Sequence, residues 1–253
     1  MANYTHESKH YQKRWKALGG GRFNGAYYYS REIVKNIIPN VKTDRPWITV
    51  NVPEAGAEDR AIVFIHNNKH PENYEWLRDY NDLVLICGVP ETVEKVKHLG
   101  TAIYIPLSVD VAEVEAYKIP EEEEKKDQEA YFGRLRKRTA MVPADAHTFS
   151  GIQREDMLRF MAKYKKIYAV GRTAIEARIL GAEVLPYDPR FPDPNFWEVI
   201  DNKDAAKLIQ KELDKIDKKK KTKKKTEAPK EEAPEKPKKK KSGGSKKKVV
   251  KEE

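Results

Sequence analysis

The stretch Tyr168-Ala169-Val170-Gly171-Arg172-Thr173-Ala174-Ile175-Glu176-Ala177-Arg178-Ile179-Leu180-Gly181-Ala182-Glu183-Val184 decides the fold. It reads as the end of a strand (Lys166–Val170), a tight glycine turn, a helix over Ala174–Leu180, a glycine stop and a new strand over Glu183–Tyr187. The turn places the backbone N–H groups of Arg172, Thr173 and Ala174 at a helix N-terminus. Orphan donors and the positive end of the helix dipole there suit a phosphate. Glu176 stands one turn further on, where a carboxylate reaches a ribose. Thr173-x-x-Glu176 also reads as a capping box, which closes a helix end without any ligand and stabilises it by about 0.5–2 kcal/mol.

Working outward, the same alternation recurs. Trp47–Val52, Ala61–Ile65, Asp82–Cys87 and Thr101–Ile105 are short and apolar, and helical stretches lie between them at Pro71–Tyr80 and Glu91–Leu99. Ala61–Ile65 is apolar throughout, which suits a parallel strand covered on both faces. A second series follows, with candidate strands at Ala130–Phe132 and Thr139–Val142 and an amphipathic helix over Arg154–Tyr164. Strands alternating with helices predict an α/β fold with parallel sheets, here as two small Rossmann-like halves meeting near residues 106–130. Residues 1–110 form the first half and 111–216 the second. A helix is expected over Ala26–Ile38, stopped by Pro39, a less regular one over Tyr11–Leu18, and a last one over Asp204–Ile216. Glu121–Asp127 is a solvated charge run, helical or a hinge.

Three segments, taken in order, resemble the GT-B class of glycosyltransferases. The 168–184 segment is similar to the nucleotide-sugar-binding element of that class. Tyr104-Ile105-Pro106-Leu107-Ser108-Val109-Asp110 is similar to its interdomain stretch, and Tyr131-Phe132-Gly133-Arg134-Leu135-Arg136-Lys137 to its glycine-arginine-leucine motif. The resemblance implies transfer of a sugar from a nucleotide-sugar donor to an acceptor, with no further cofactor. It assigns the donor diphosphate to Arg134, Lys137 and the turn at Gly171, Arg172 and Thr173, and the ribose to Glu176. The chain departs from the retaining subfamily at Tyr168, where an acidic residue is usual, and its foldable length is short for the class. A non-catalytic nucleotide-binding or interaction module of the same fold is the alternative.

Outside these motifs, His66 follows the strand Ala61–Ile65 at the end where open α/β sheets place ligand groups. An imidazole there can serve as the acceptor-side base; the plainer reading is a solvent-facing loop histidine. Gly19-Gly20-Gly21-Arg22-Phe23-Asn24-Gly25 has no strand before it and is not a dinucleotide fingerprint. Asp145-Ala146-His147 with Ser150 lacks the partner spacing of a triad, and no Cys/His cluster or Asp-x-Asp element points to a metal. The single cysteine, Cys87, excludes an intramolecular disulfide and reads as a small buried hydrophobe.

Charge is concentrated at one end. Residues 218–253 hold 17 lysines and 6 acids, so they carry +11 of the chain's net +10 and leave residues 1–217 at −1. A tail from 217 to 253, lysine-rich and almost without apolar residues, is expected to stay disordered and to attract polyanions weakly and without sequence preference. Nucleic-acid association through that tail is a further alternative. The polar N-terminus, the lack of a long apolar run and the single cysteine lead to the expectation of a cytoplasmic protein without a membrane span.

Overall fold

The computed structural model describes residues 4–9, 12, 25–50, 57–66 and 70–226. Of the expected helix over Tyr11–Leu18 only Gln12, which is helical, is among these; the glycine loop up to Asn24, the strand end Asn51–Val52 and the tail beyond residue 226 lie outside them. Residues 1–215 form one compact unit and 216–253 another.

The first unit is α/β and holds two four-stranded, wholly parallel sheets. In the first sheet β1 (Trp47–Ile48), β2 (Ile62–Ile65), β3 (Val84–Cys87) and β4 (Thr101–Tyr104) lie side by side in chain order. Strands β2 and β3 are buried at every position, as their unbroken apolar runs require. Strand β4, at the sheet edge, is half-exposed. Cys87 is buried and, with burial pushing its thiol up to about 12, unreactive.

The second sheet has β5 (Ala130–Phe132), β6 (His147–Phe149), β7 (Lys166–Tyr168) and β8 (Glu183–Leu185) in the order β6-β5-β7-β8. Strand order therefore reverses between β5 and β7. Ligands of open α/β sheets bind outside the carboxyl ends of strands at such a reversal. The loops that leave β5 and β7 there begin at Gly133-Arg134 and Ala169-Val170-Gly171.

Six α-helices occur among the described residues: α1 (Gly25–Glu32), α2 (Pro90–Val96), α3 (Val111–Glu115), α4 (Arg154–Met161), α5 (Arg172–Ile179) and α6 (Asn202–Thr226). Helix α1 runs on through a π turn, Ile33–Ile37, and a 3-10 turn, Ile38–Asn40. Pro71–Asp79 is a 3-10 helix.

Three expectations are corrected. Thr139–Val142 is not a strand. It forms a turn closed by Val142 N–H donating to the Thr139 carbonyl at 3.1 Å, with Pro143 next in the chain. The strand beside β5 is His147–Phe149 instead. Of the two readings of Glu121–Asp127, helical or a hinge, the helix does not form: the charged segment has no apolar face to dock, and it holds a turn and a single bridge from Lys126 to Tyr164. The last helix continues from Ile216 through Thr226, consistent with the good helix propensity of lysine. Helix α6 also reaches the first half, where the Gln210 side chain accepts from the Lys42 N–H at 2.6 Å. No helix among the described residues is long and apolar enough to cross a membrane.

Candidate functional site

Two neighbouring cavities lie at the carboxyl ends of the strands and share Gly25 and Arg172 in their walls. The first, about 320 Å³, opens between the two sheets and takes Phe64, His66, Gly88, Lys137, Gly171 and Arg190 among its lining. The second, about 430 Å³, belongs to the reversal point of the second sheet and is walled by Tyr28, Gly133, Arg134, Ile152, Arg154 and Glu176. The sequence-derived site residues thus converge on one region, divided between two chambers. Thr173 lines neither.

The glycine turn forms as expected, but the helix after it starts two residues earlier in the chain. Gly171 is the N-cap of α5, with φ +65° and ψ −143°, a region open essentially to glycine. Helix α5 therefore begins at Arg172 rather than Ala174. The N–H of Ala174 is taken by the Gly171 carbonyl at 3.0 Å, and the N–H groups of Arg172 and Thr173 have no hydrogen-bond partner among the described residues. A β-carbon at Gly171 would meet Leu107 at an ordinary 3.7 Å, so backbone conformation, not space, excludes other residues. Gly171→Ala is expected to lower unfolding free energy by about 1–3 kcal/mol in urea titrations. A loss below about 0.5 kcal/mol would show the turn to be unconstrained.

The early start also dissolves the capping box. Glu176 lies too deep in α5 to reach the N-cap, and no side chain caps that end. Its Oε1 instead accepts from Arg154 at 3.0 Å and lies 3.7 Å from Arg172. Its Oε2 has no hydrogen-bond partner among the described residues, which leaves one oxygen at the wall of the second cavity. Burial holds the Glu176 carboxyl above its usual value, and the Arg172 and Arg154 guanidiniums oppose that shift.

Behind this wall is a charge network that sequence reading does not single out. Glu32 and Glu176 are each 3% exposed, Arg154 7% and Arg172 12%, so two cations and two anions share one buried volume. Glu32 Oε1 accepts from Arg172 and, at 3.4 Å, from Arg154. Glu32 Oε2 accepts from Asn202 Nδ2 and from the Asp110 N–H, both at 3.0 Å. Arg154 also donates to Glu113 at 2.8 Å.

A third feature is the turn Leu135–Lys137 after β5. Arg134, Arg136 and Lys137 are exposed, and no carboxylate pairs with any of them among the described residues. Partial burial first, then the guanidiniums of Arg134, Arg136 and Arg190, hold the Lys137 ammonium below its usual value. Asp188 opposes this but is itself bound by Arg190 at 2.6 Å. The turn is fixed by the Tyr131 hydroxyl donating to the Arg134 carbonyl at 2.9 Å. A β-carbon at Gly133 would lie 2.6 Å from that hydroxyl, so only glycine fits there.

His66 is half-buried in the wall of the first cavity rather than solvent-facing. Its Nε2 lies 2.6 Å from the Thr49 carbonyl, an acceptor only, so Nε2 carries the proton and Nδ1 an open lone pair. Burial pushes its pKa down to about 4, against the opposing hydrogen bond to Thr49. His147 Nδ1 pairs with the Tyr164 hydroxyl at 2.7 Å and takes no part in the cavities. No group of three or more His, Cys, Asp or Glu side chains among the described residues is arranged to hold a metal. Comparisons with protein-family models, with curated proteins and with solved structures returned no match.

Proposed function

We propose that the chain is a shortened glycosyltransferase of GT-B type, moving a sugar from a nucleotide-sugar donor to an acceptor. The observation that carries this reading is the pair of cavity-lining cations Arg134 and Lys137, with no salt-bridged carboxylate among the described residues, near the unpartnered N–H groups of Arg172 and Thr173 at the sheet's reversal point. Cations brought together without a salt-bridged carboxylate favour an anion, and Arg172, in the walls of both cavities, joins the two chambers. The nucleoside takes the second cavity, with its ribose on Glu176 Oε2. The sugar and acceptor take the first.

In transfer, the acceptor oxygen forms a bond to the anomeric carbon as the bond from that carbon to the diphosphate oxygen breaks. The diphosphate leaves with the electron pair, and Arg134, Lys137 and the Gly171–Thr173 turn stabilise its growing charge. The acceptor proton goes to Nδ1 of His66. A histidine held near 4 is neutral at physiological pH but a weak base. That observation favours the second reading, a nucleotide-binding module of the same fold without transfer.

Calorimetry and thermal shift with uridine, guanosine, cytidine, adenosine and thymidine diphosphate-sugars test both. At 100 times its dissociation constant the preferred ligand is expected to stabilise the chain by about 2.7 kcal/mol. Donor turnover separates transferase from binding module. Absence of binding to every member at millimolar concentration would remove both.

A further inference from the structure

Arg172 is the one guanidinium that lines both cavities, yet it reaches them already neutralised. Its counter-ion, Glu32, comes from α1, at the other end of the chain's folded order. Glu32 is itself held by four donors from four separate places: Arg172, Arg154, Asn202 and the Asp110 N–H. Arg172 Nε is buried without a hydrogen-bond partner, and the guanidinium lies 5.2 Å over the Tyr29 ring. Arg172 thus carries a buried donor that calls for an explanation, and it sits at the N-terminus of α5 beside two free N–H groups.

We infer that Glu32 is an internal stand-in for the ligand's phosphate: a positioning residue that keeps Arg172 aimed at the partition between the cavities, and that a bound diphosphate displaces from it. This rests on the nucleotide-diphosphate reading of the site. The arginine pair needs compensation to be buried at all, since an unpaired buried charge is strongly unfavourable. Glu176 and Glu32 supply it. A diphosphate entering beside Arg172 brings its own negative charge, and Glu32 keeps Asn202, Asp110 and Arg154 as donors when it gives Arg172 up. Glu32 therefore competes with the ligand for one cation, and the competition lowers anion affinity.

The test is titration of inorganic pyrophosphate and of the free nucleoside into wild type, Glu32→Gln, Arg172→Gln and the double variant. Removing the competing carboxylate is expected to tighten pyrophosphate binding on the order of tenfold, as a hydrogen bond to a charged group is freed. Nucleoside affinity is expected to stay unchanged. Arg172→Gln is expected to weaken pyrophosphate binding by a similar factor. The double variant restores a neutral network and is expected to fold even if Glu32→Gln does not; its pyrophosphate affinity should stay at the Arg172→Gln level. A folded Glu32→Gln that binds pyrophosphate no tighter than wild type, or a double variant that binds it as wild type does, overturns the inference. If nucleotide diphosphates still bind in either case, the inference fails and the site stands. If neither wild type nor any variant binds pyrophosphate or nucleotide diphosphate, both fall.

Discussion

Replacing Arg154 with methionine is expected to destabilise the folded unit by about 3–5 kcal/mol, the cost of removing one partner from a buried ion cluster. For a unit of this size that lowers the melting temperature on the order of 10 °C. Arg154 donates to Glu113, Glu176 and Glu32 while only 7% exposed. Without it, Glu32 and Glu176 face Arg172 alone. The Glu176 carboxyl, already held up by burial, loses one of the two arginines that oppose the shift and rises further. The sign follows: an acid whose folded pKa is raised contributes stability below its unfolded value and loses it as pH rises through the folded one. The deficit of the variant relative to wild type is therefore smaller at pH 5 than at pH 8. Urea titrations at both pH values measure it. A deficit under about 1 kcal/mol, or one independent of pH, would show that the cluster is not coupled as its geometry indicates.

That cluster shows where the sequence stops being legible. Strands β2 and β3 are readable because both faces are covered, so every residue is apolar. Strand β6 is not, because an edge strand pairs with β5 alone and its residues, His147-Thr148-Phe149, carry mixed burial and no apolar run. The apolar Thr139–Val142 misleads in the opposite sense: Val142 is buried but Met141 is 46% exposed, as a turn allows.

The cavity-lining residues of α5 and the β5 turn are legible as local motifs, since each depends on a glycine at a fixed offset. Glu32 is not, because a glutamate inside a helix reads as a solvated charge and its partners lie 78 to 170 residues away. One signal was present. Tyr29, Ile33 and Ile37 mark the buried face of α1 and the turn after it, and Glu32 falls beside that stripe, three residues after Tyr29. An acid on an apolar face requires a buried cation, and Arg154 and Arg172 supply it.

The cation turn yields the largest expected effect on binding. Arg134 and Lys137 are exposed and unpaired, so Arg134→Ala with Lys137→Ala is expected to leave the melting temperature within experimental error. Each hydrogen bond to a charged phosphate oxygen contributes about 1.5–3 kcal/mol, so losing two lowers nucleotide-diphosphate affinity by about 100-fold or more. Arg136 lines neither cavity, and its alanine variant should change affinity far less. The free nucleoside, which carries no phosphate, should bind the double variant as it binds wild type. Lys137 adds a pH signature. Its ammonium is held below the usual lysine value by partial burial and by Arg134, Arg136 and Arg190. A bound diphosphate favours the charged form, so wild-type affinity should fall on the alkaline side as pH rises through that lowered value. In Lys137→Ala this alkaline fall should disappear, whereas Arg134→Ala should keep it and shift it upward, because one repelling cation is gone. Isothermal titration of a nucleoside diphosphate across the alkaline range reads both effects. Wild-type affinity in the double variant would remove the diphosphate from this turn and leave its three cations without a ligand.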